Sequence, residues 1–307
     1  MRKFLVLLLV FVFIIIFTGG DLLAADFGLF DDYQFMAGPK YTRPAMTEFT
    51  NLFEDIYGTM ADDSEALAEL IETFEEEDID GGYSFNHNSD YPSGPFDSFG
   101  FFINLINTTE FGYRALLNYD LFRLDFKGRG SYDLYLELND GELDDFNEAE
   151  PFSEYDSEID VQMLVHSLGA EYHFPFFAEA GSQIPDLLKY FNLNVGGAYY
   201  WGSGEMSISE YRLDRFIRED SDGELFINSE EISEAYNSDL TLKGSPGYKV
   251  GVGFDYPFNR EMKVSAGVNY RVLEMDIEAS GKGDELIGNM TEDFSGLEMK
   301  VGLFYQF

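Results

Sequence analysis

The 307-residue chain sets 58 acidic residues against 19 basic ones, a formal net charge of −39, and has no cysteine. That charge repels phosphate backbones and excludes nucleic acid as a partner; the missing cysteines exclude disulfides, c-type haem attachment and a lipid anchor on a leading cysteine. An aromatic content of 17%, with 20 tyrosines and 31 phenylalanines, excludes wholesale disorder.

Met1-Arg2-Lys3 is a short basic start, and Phe4 to Phe17 is an uncharged apolar run. The run is shorter than the ~20 apolar residues of a spanning helix. It reads as a secretory signal over residues 1–25, with cleavage near Gly20 or after Ala25. Residues 26–307 then form one domain. No later run reaches spanning length, so membrane residence after cleavage requires a barrel.

Tyr33 to Tyr41 is a candidate first strand despite Pro39. Met46, Phe49, Leu52, Phe53, Ile56, Tyr57 and Met60 follow at helical spacing, broken at Gly58. A second helix is expected from Ser64 through Leu67, Leu70, Ile71 and Phe74, which makes 44–78 a loop with a helical pair. From Gly81 the period falls to 2. Gly81–His87 reads as a strand, and Asp90-Tyr91-Pro92-Ser93-Gly94-Pro95 as a turn. Phe99, Phe101, Ile103 and Leu105 alternate in the next strand. Turns are expected at Asn107-Thr108-Thr109 and Asn118-Tyr119-Asp120, on either side of a strand through Phe111, Tyr113, Ala115 and Leu117.

The following strand has Phe122, Leu124, Phe126, Tyr132, Leu134, Leu136 and Leu138 on one parity, and Arg123, Asp125, Lys127, Arg129, Asp133 and Glu137 on the other. After the acidic loop 139–156, Ile159, Val161, Met163 and Val165 alternate, and the apolar parity then shifts to Leu168, Ala170, Tyr172 and Phe174. A β-bulge near Ser167 is the simplest reading. Leu193 to Trp201 is a strand, 202–246 an acidic loop, Tyr248 to Tyr256 and Met262 to Val272 a hairpin, and 279–293 a third acidic loop.

The last strand, Leu297-Glu298-Met299-Lys300-Val301-Gly302-Leu303-Phe304-Tyr305-Gln306-Phe307, alternates apolar and mostly polar positions and stops on an aromatic. A terminal aromatic strand after a secretion signal resembles the bacterial outer-membrane β-barrel proteins, in architecture the small outer-membrane protein A and W groups. Short turns alternating with long loops fit that resemblance. It implies an all-β, transmembrane, antiparallel up-and-down barrel; taking Tyr33 to Tyr41 as the first strand gives ten strands, with eight as the alternative if Phe96 to Asn118 is one unbroken strand and Tyr33 to Tyr41 is not in the sheet. It also implies an outer-membrane address, outer-membrane lipid around the exterior, and a barrel-assembly machinery that reads Leu303, Tyr305 and Phe307. No cofactor is implied, and the oligomeric state stays open.

In the strands with clear alternation, no charge falls on the face read as outward. Lipid explains that directly, because Lys or Arg facing mid-bilayer costs about 2–4 kcal/mol. The opposite face supplies the expected lumen charges: Arg114, Arg123, Lys127, Arg129, Lys249, Lys263, Arg271 and Lys300 against Glu110, Asp125, Asp133, Glu137, Asp160, Glu171, Asp255 and Glu298. Such a small bore can be filled by side chains. The expectation is a ladder of ion pairs closing it, with solvated charges in a water-filled lumen as the alternative.

Among other candidates, His166 and Ser167 are adjacent and therefore on opposite faces, which spoils a catalytic dyad. His87 with Asp90 is a generic loop pairing. Asp220-Ser221-Asp222-Gly223 resembles a calcium-binding loop, but Arg218 and Ser229 stand where acidic ligands belong. Divalent cations could gather at Asp140, Glu142, Asp144 and Asp145, although a solvated acidic surface is the simpler reading. The leading expectation is a non-enzymatic outer-membrane barrel with a structural or surface role, or restricted passage of small solutes. The alternatives are a channel for small hydrophobic molecules with the 44–78 helices as lid and, behind it, a barrel hydrolase.

Overall fold

Apolar alternation and the turn residues between the runs produce antiparallel strands throughout. The computed structural model describes residues 33–58, 81–92, 94–108, 114–138, 150–176, 187–219, 225–259, 262–281 and 288–306. The expected signal, second helix and cation ligands (Asp140, Glu142, Asp144, Asp145), with Glu110 and Phe307, lie outside these. Eleven strands are formed: β1 (Tyr33–Pro44), β2 (Gly81–Asp90), β3 (Ser98–Thr108), β4 (Arg114–Leu138), β5 (Ser153–Pro175), β6 (Phe191–Glu219), β7 (Leu225–Pro257), β8 (Met262–Val272), β9 (Glu274–Gly281), β10 (Asn289–Asp293) and β11 (Gly296–Gln306). Among the described residues one α-helix, α1 (Thr47–Gly58), joins them.

The sheet has two storeys. In the lower one, β1-β3-β4-β5-β6-β7-β8-β11 pair side by side and β11 returns to β1, so an eight-stranded ring closes with no edge. In the upper one, β4 to β7 continue past the ring and are flanked by β2 on β4 and by β9 and β10 on β7. This upper collar is an open sheet, β2-β4-β5-β6-β7-β9-β10.

The ring corrects the count of ten. Residues 114–138 form one strand, because Asn118 and Asp120, polar enough to read as a turn, are buried inward-facing positions. Gly81–His87 is a collar strand and not a stave of the ring. Tyr33–Tyr41 is a stave, with Pro39 exposed on the outside. The 202–246 segment is no loop: β6 and β7 pair from Phe191↔Phe254 to Glu219↔Leu225. Met206, Ile208, Leu240 and Leu242 turn into the collar while Ser and Glu neighbours face out. The expected third acidic loop is the β9–β10 hairpin, and residues 153–156 of the first belong to β5.

The apolar surface changes sides between storeys. Around the ring, exposed residues are apolar: Phe99, Phe101, Leu117, Leu168, Tyr172, Val195, Val250, Val268, Val301 and Leu303. In the collar the apolar residues point in, and Phe122, Leu124, Phe126, Leu134, Ile159, Val161, Met163 and Val165 form one buried core. No bulge produces this near Ser167. The β4–β5 register runs unbroken from Arg114↔His173 to Leu134↔Ser153. The strands keep their parity and only their surroundings change. The real register shift is in β7, where Tyr200↔Ser245 is followed by Gly202↔Leu242. The extra residue there moves β7's inward positions from Leu240 and Leu242 to Gly247 and Lys249.

Candidate functional site

Three strands and their neighbours deliver a set of charges to the middle of the ring. On β11, Glu298 and Lys300 alternate with outward Leu297, Met299 and Val301. On β7, Lys249 lies between outward Tyr248 and Val250. On β4, Asp120 sits beside Tyr119, and β1, β5 and β8 add Lys40, Glu171 and Arg271. All seven are buried.

Their contacts interlock. Lys40 Nζ lies 3.0 Å from Asp120 Oδ2 and 2.7 Å from Glu298 Oε2. Lys300 Nζ lies 3.0 Å from Asp120 Oδ1 and 3.3 Å from Glu298 Oε1. Lys249 Nζ is 2.7 Å from Glu171 Oε2 and 3.6 Å from Glu298 Oε1. Arg271 Nη1 is 3.7 Å from Glu298 Oε2, and its guanidinium donates to the Phe294 carbonyl and to Thr42 Oγ1. Three carboxylates therefore share four cations, which leaves little net charge to be buried. Aromatic faces flank two of the cations: Arg271 lies 4.7 Å from the centroid of Phe122, and Lys300 5.2 Å from that of Phe102. Each charge is shared because a lone buried ion would cost several kcal/mol.

Below this lattice the bore is lined by buried amides, Asn104, Asn118, Asn192, Asn194 and Asn269, with Asn194 Nδ2 donating to Asn269 Oδ1 at 3.3 Å. At the lower end Arg114 pairs with Asp255, which also accepts from Asn192 Nδ2 at 2.7 Å. Lys263 is half-buried at the same end. Above the lattice the collar interior is apolar and holds α1. Phe49, Phe53 and Tyr57, spaced one helical turn apart, are fully buried with Met46. Gly128 makes room: a Cβ there would fall 2.6 Å from the Phe53 ring and 2.9 Å from that of Tyr57. The lining of the interior changes from polar to apolar along the axis.

The expected lumen charges divide accordingly. Arg114, Glu171, Lys249, Asp255, Lys263, Arg271, Glu298 and Lys300 are inside the ring. Arg123, Asp125, Lys127, Arg129, Asp133 and Asp160 are not; they lie on the outer face of the collar. There Arg123 meets Asp125, Lys127 meets Asp160 and Arg129 meets Asp156. Their alternation with apolar neighbours is real, but the dry side of these strands is the inside. Glu137 belongs to β4, and its side chain is not among those described. Lys40 and Asp120, central to the lattice, carry no clear sequence signal, because one sits beside a proline and the other in an apparent turn.

The histidines do not converge. His166 faces outward, with Nδ1 2.8 Å from Tyr119 Oη and its ring 5.7 Å from Trp201, while Ser167 is buried inside. His173 Nε2 lies 2.9 Å from Glu171 Oε1 in the bore. His87, on β2, donates to the Tyr57 carbonyl of α1 at 3.2 Å. Among the described residues, no cluster of acids and histidines is arranged to hold a metal ion. Of the strand expected to serve assembly, Leu303 is exposed on the outer face; Tyr305 lies in β11 opposite Phe35 and Met262.

No protein-family model matches this sequence, and no curated protein matches it. Among solved structures, the chain is similar to the crystal structure of the outer membrane protein OprG from Pseudomonas aeruginosa. The identity is 11%, over 89% of this chain and 94% of that chain, with a TM-score of 0.33.

Proposed function

We propose that the chain is an exported, integral outer-membrane barrel whose bore is closed, with a structural or surface-presenting role and no catalytic one. Two bands of aromatics border the charge-free exterior. Tyr119, His166, Tyr199 and Trp201 stand at its upper edge, and Tyr172, Phe174, Tyr190 and Tyr256 at its lower edge. On β5 the bands are separated by six to eight residues, close to the ~9–11 of a tilted spanning strand. Aromatic girdles around an apolar band are the exterior that lipid selects.

The observation that carries the closed reading is the interlocked lattice of Lys40, Asp120, Glu171, Lys249, Arg271, Glu298 and Lys300 across the bore. Solute could pass only by parting several buried ion pairs at once and by displacing α1 above them. Planar-bilayer recording of the purified chain tests this. The expected result is no stable conductance; a large, steady, non-selective conductance would overturn it. Fractionation with the outer membrane and heat-modifiable gel mobility test the address, with recovery in the soluble fraction as the contrary result.

A further inference from the structure

Two cavities adjoin on the outer face of β5, β6 and β7, directly above the apolar band. The lower, of about 280 Å³, is lined by Arg123, Gln162, Leu164, Ser203 and Glu205. The upper, of about 520 Å³, adds Asp160, Ser207, Asn237 and Asp239. Gln162 and Glu205 border both, so the two form one groove that climbs the collar from the edge of the band. Strand register builds it in steps. Leu164↔Ser203 is the lowest, Gln162↔Glu205↔Asp239 the next, and Asp160↔Ser207↔Asn237 the highest. Ser203 and Ser207 add little bulk to β6, which leaves space between longer neighbours. Just beneath, Trp201 stacks on His166 at 5.7 Å, and this aromatic ledge separates the groove from Leu168 and Val195 of the band.

The lining selects against charged ligands. Arg123 is held by Asp125 and Gln162, and Lys127 by Asp160. Glu205 and Asp239 stand directly opposite each other across β6 and β7, like charges that repel, and neither forms an ion pair among the described residues. A phosphate would add to that repulsion. No cluster among the described residues is arranged to hold a metal ion. Exposed carboxylates, two side-chain amides and short hydroxyls together suit an uncharged ligand rich in hydrogen-bond donors. A sugar is such a ligand: hydroxyls surround its ring, and its C–H face suits the aromatic ledge below.

We propose that this groove seats the sugar headgroup of a glycolipid of the upper leaflet, a site that rests on the barrel reading above, since only in a bilayer does its foot open onto lipid. The acyl chains lie on the apolar band, the first sugar sits against Leu164 and Ser203, and later sugars reach Glu205, Asp239 and Asn237. The upper cavity is larger than one hexose, so the headgroup it fits has more than one sugar. Hydroxyl groups donate to Glu205 and Asp239 and relieve their mutual repulsion.

Trp201 is the single tryptophan of the chain and stands at the foot of the groove, so its fluorescence reads the site. The test reconstitutes the full chain in phosphatidylcholine vesicles with a diacylglycerol that carries a neutral trisaccharide. The expected result is a saturable change in Trp201 emission with glycolipid fraction, absent with plain diacylglycerol. In Glu205→Ala with Asp239→Ala, the half-saturating fraction should rise about tenfold, as loss of hydrogen bonds to charged groups predicts. Should that variant not fold, Gln162→Ala supplies the comparison. No response in the native chain overturns the proposal, as does an unshifted response in the variant. An equal response to phosphatidic acid, or to free trisaccharide at matched bulk concentration, also overturns it. A chain that never enters the vesicles overturns the barrel reading and this site with it; one that enters and stays silent overturns the site alone.

Discussion

The ring and the collar share four strands, β4 to β7, yet the two storeys turn their apolar sides opposite ways. In β4, Leu117 and Tyr119 look outward low down, whereas Leu124, Phe126 and Leu134 look inward higher up, with no slip in register between them. The ring buries its charges in its interior and pairs them. The collar does the reverse, placing Arg123, Asp125, Lys127 and Arg129 in water and stacking Phe53, Tyr57 and Phe126 inside. Amphipathic alternation therefore reports which side of a strand is away from water. It does not report whether that side faces lipid or a core.

The contrast can be broken most forcefully at the lattice. Asp120→Ala leaves Lys40 and Lys300 short of a counter-charge in the ring, and breaking a buried pair this way costs about 3–5 kcal/mol. Asp156→Ala, which removes the partner of Arg129 on the collar exterior, should leave the urea midpoint unchanged, because that pair is solvated. Equal effects from the two would contradict the two-storey division.

A smaller effect is expected from charging the outer face. Val301→Arg, in the middle of the apolar band, should cost about 2–4 kcal/mol in unfolding from lipid. Thr241→Arg, outward on the collar, should stay within roughly 0.5 kcal/mol. The smallest and most localised effect is expected at high pH. Tyr57 and Tyr155, inside the collar, are both pushed up to about 12, chiefly by burial. Their contribution is whole below the ordinary value of 10 and is lost as pH rises through 12. Tyrosinate absorbance with near-ultraviolet dichroism should show the collar yielding in that interval while gel mobility still reports an intact ring.

Much of the ring was legible residue by residue. The alternations at Leu193–Tyr199, Tyr248–Tyr256, Val264–Tyr270 and Leu297–Leu303 have their apolar members outside, as expected from the sequence. The illegible parts share one cause. A strand whose inward side is polar and whose outward side is apolar contains the polar clusters that otherwise mark turns, so Asn118-Tyr119-Asp120 broke β4 in two and concealed Asp120. Where the dry side changes, the sequence shows a phase shift like that of an inserted residue, which placed a bulge at Ser167 that belongs instead in β7 near Gly244. Glu292, in a segment that reads as an acidic loop, carries no local sign that it is drawn in to accept the Glu48 and Phe49 amides of α1, from the other end of the chain.

The crossover of the apolar side also works as a depth gauge. On β4 the last outward apolar residue, Leu121, is followed two positions later by Arg123, and on β5 Leu164 is followed in the same sense by Gln162 and Asp160. One such step is about 7 Å of strand. A barrel sunk by one step would drag guanidinium and carboxylate groups into hydrocarbon; a barrel raised by one would lift leucines into water. In the bilayer proposed for it, the chain carries its own waterline, written into two continuous strands.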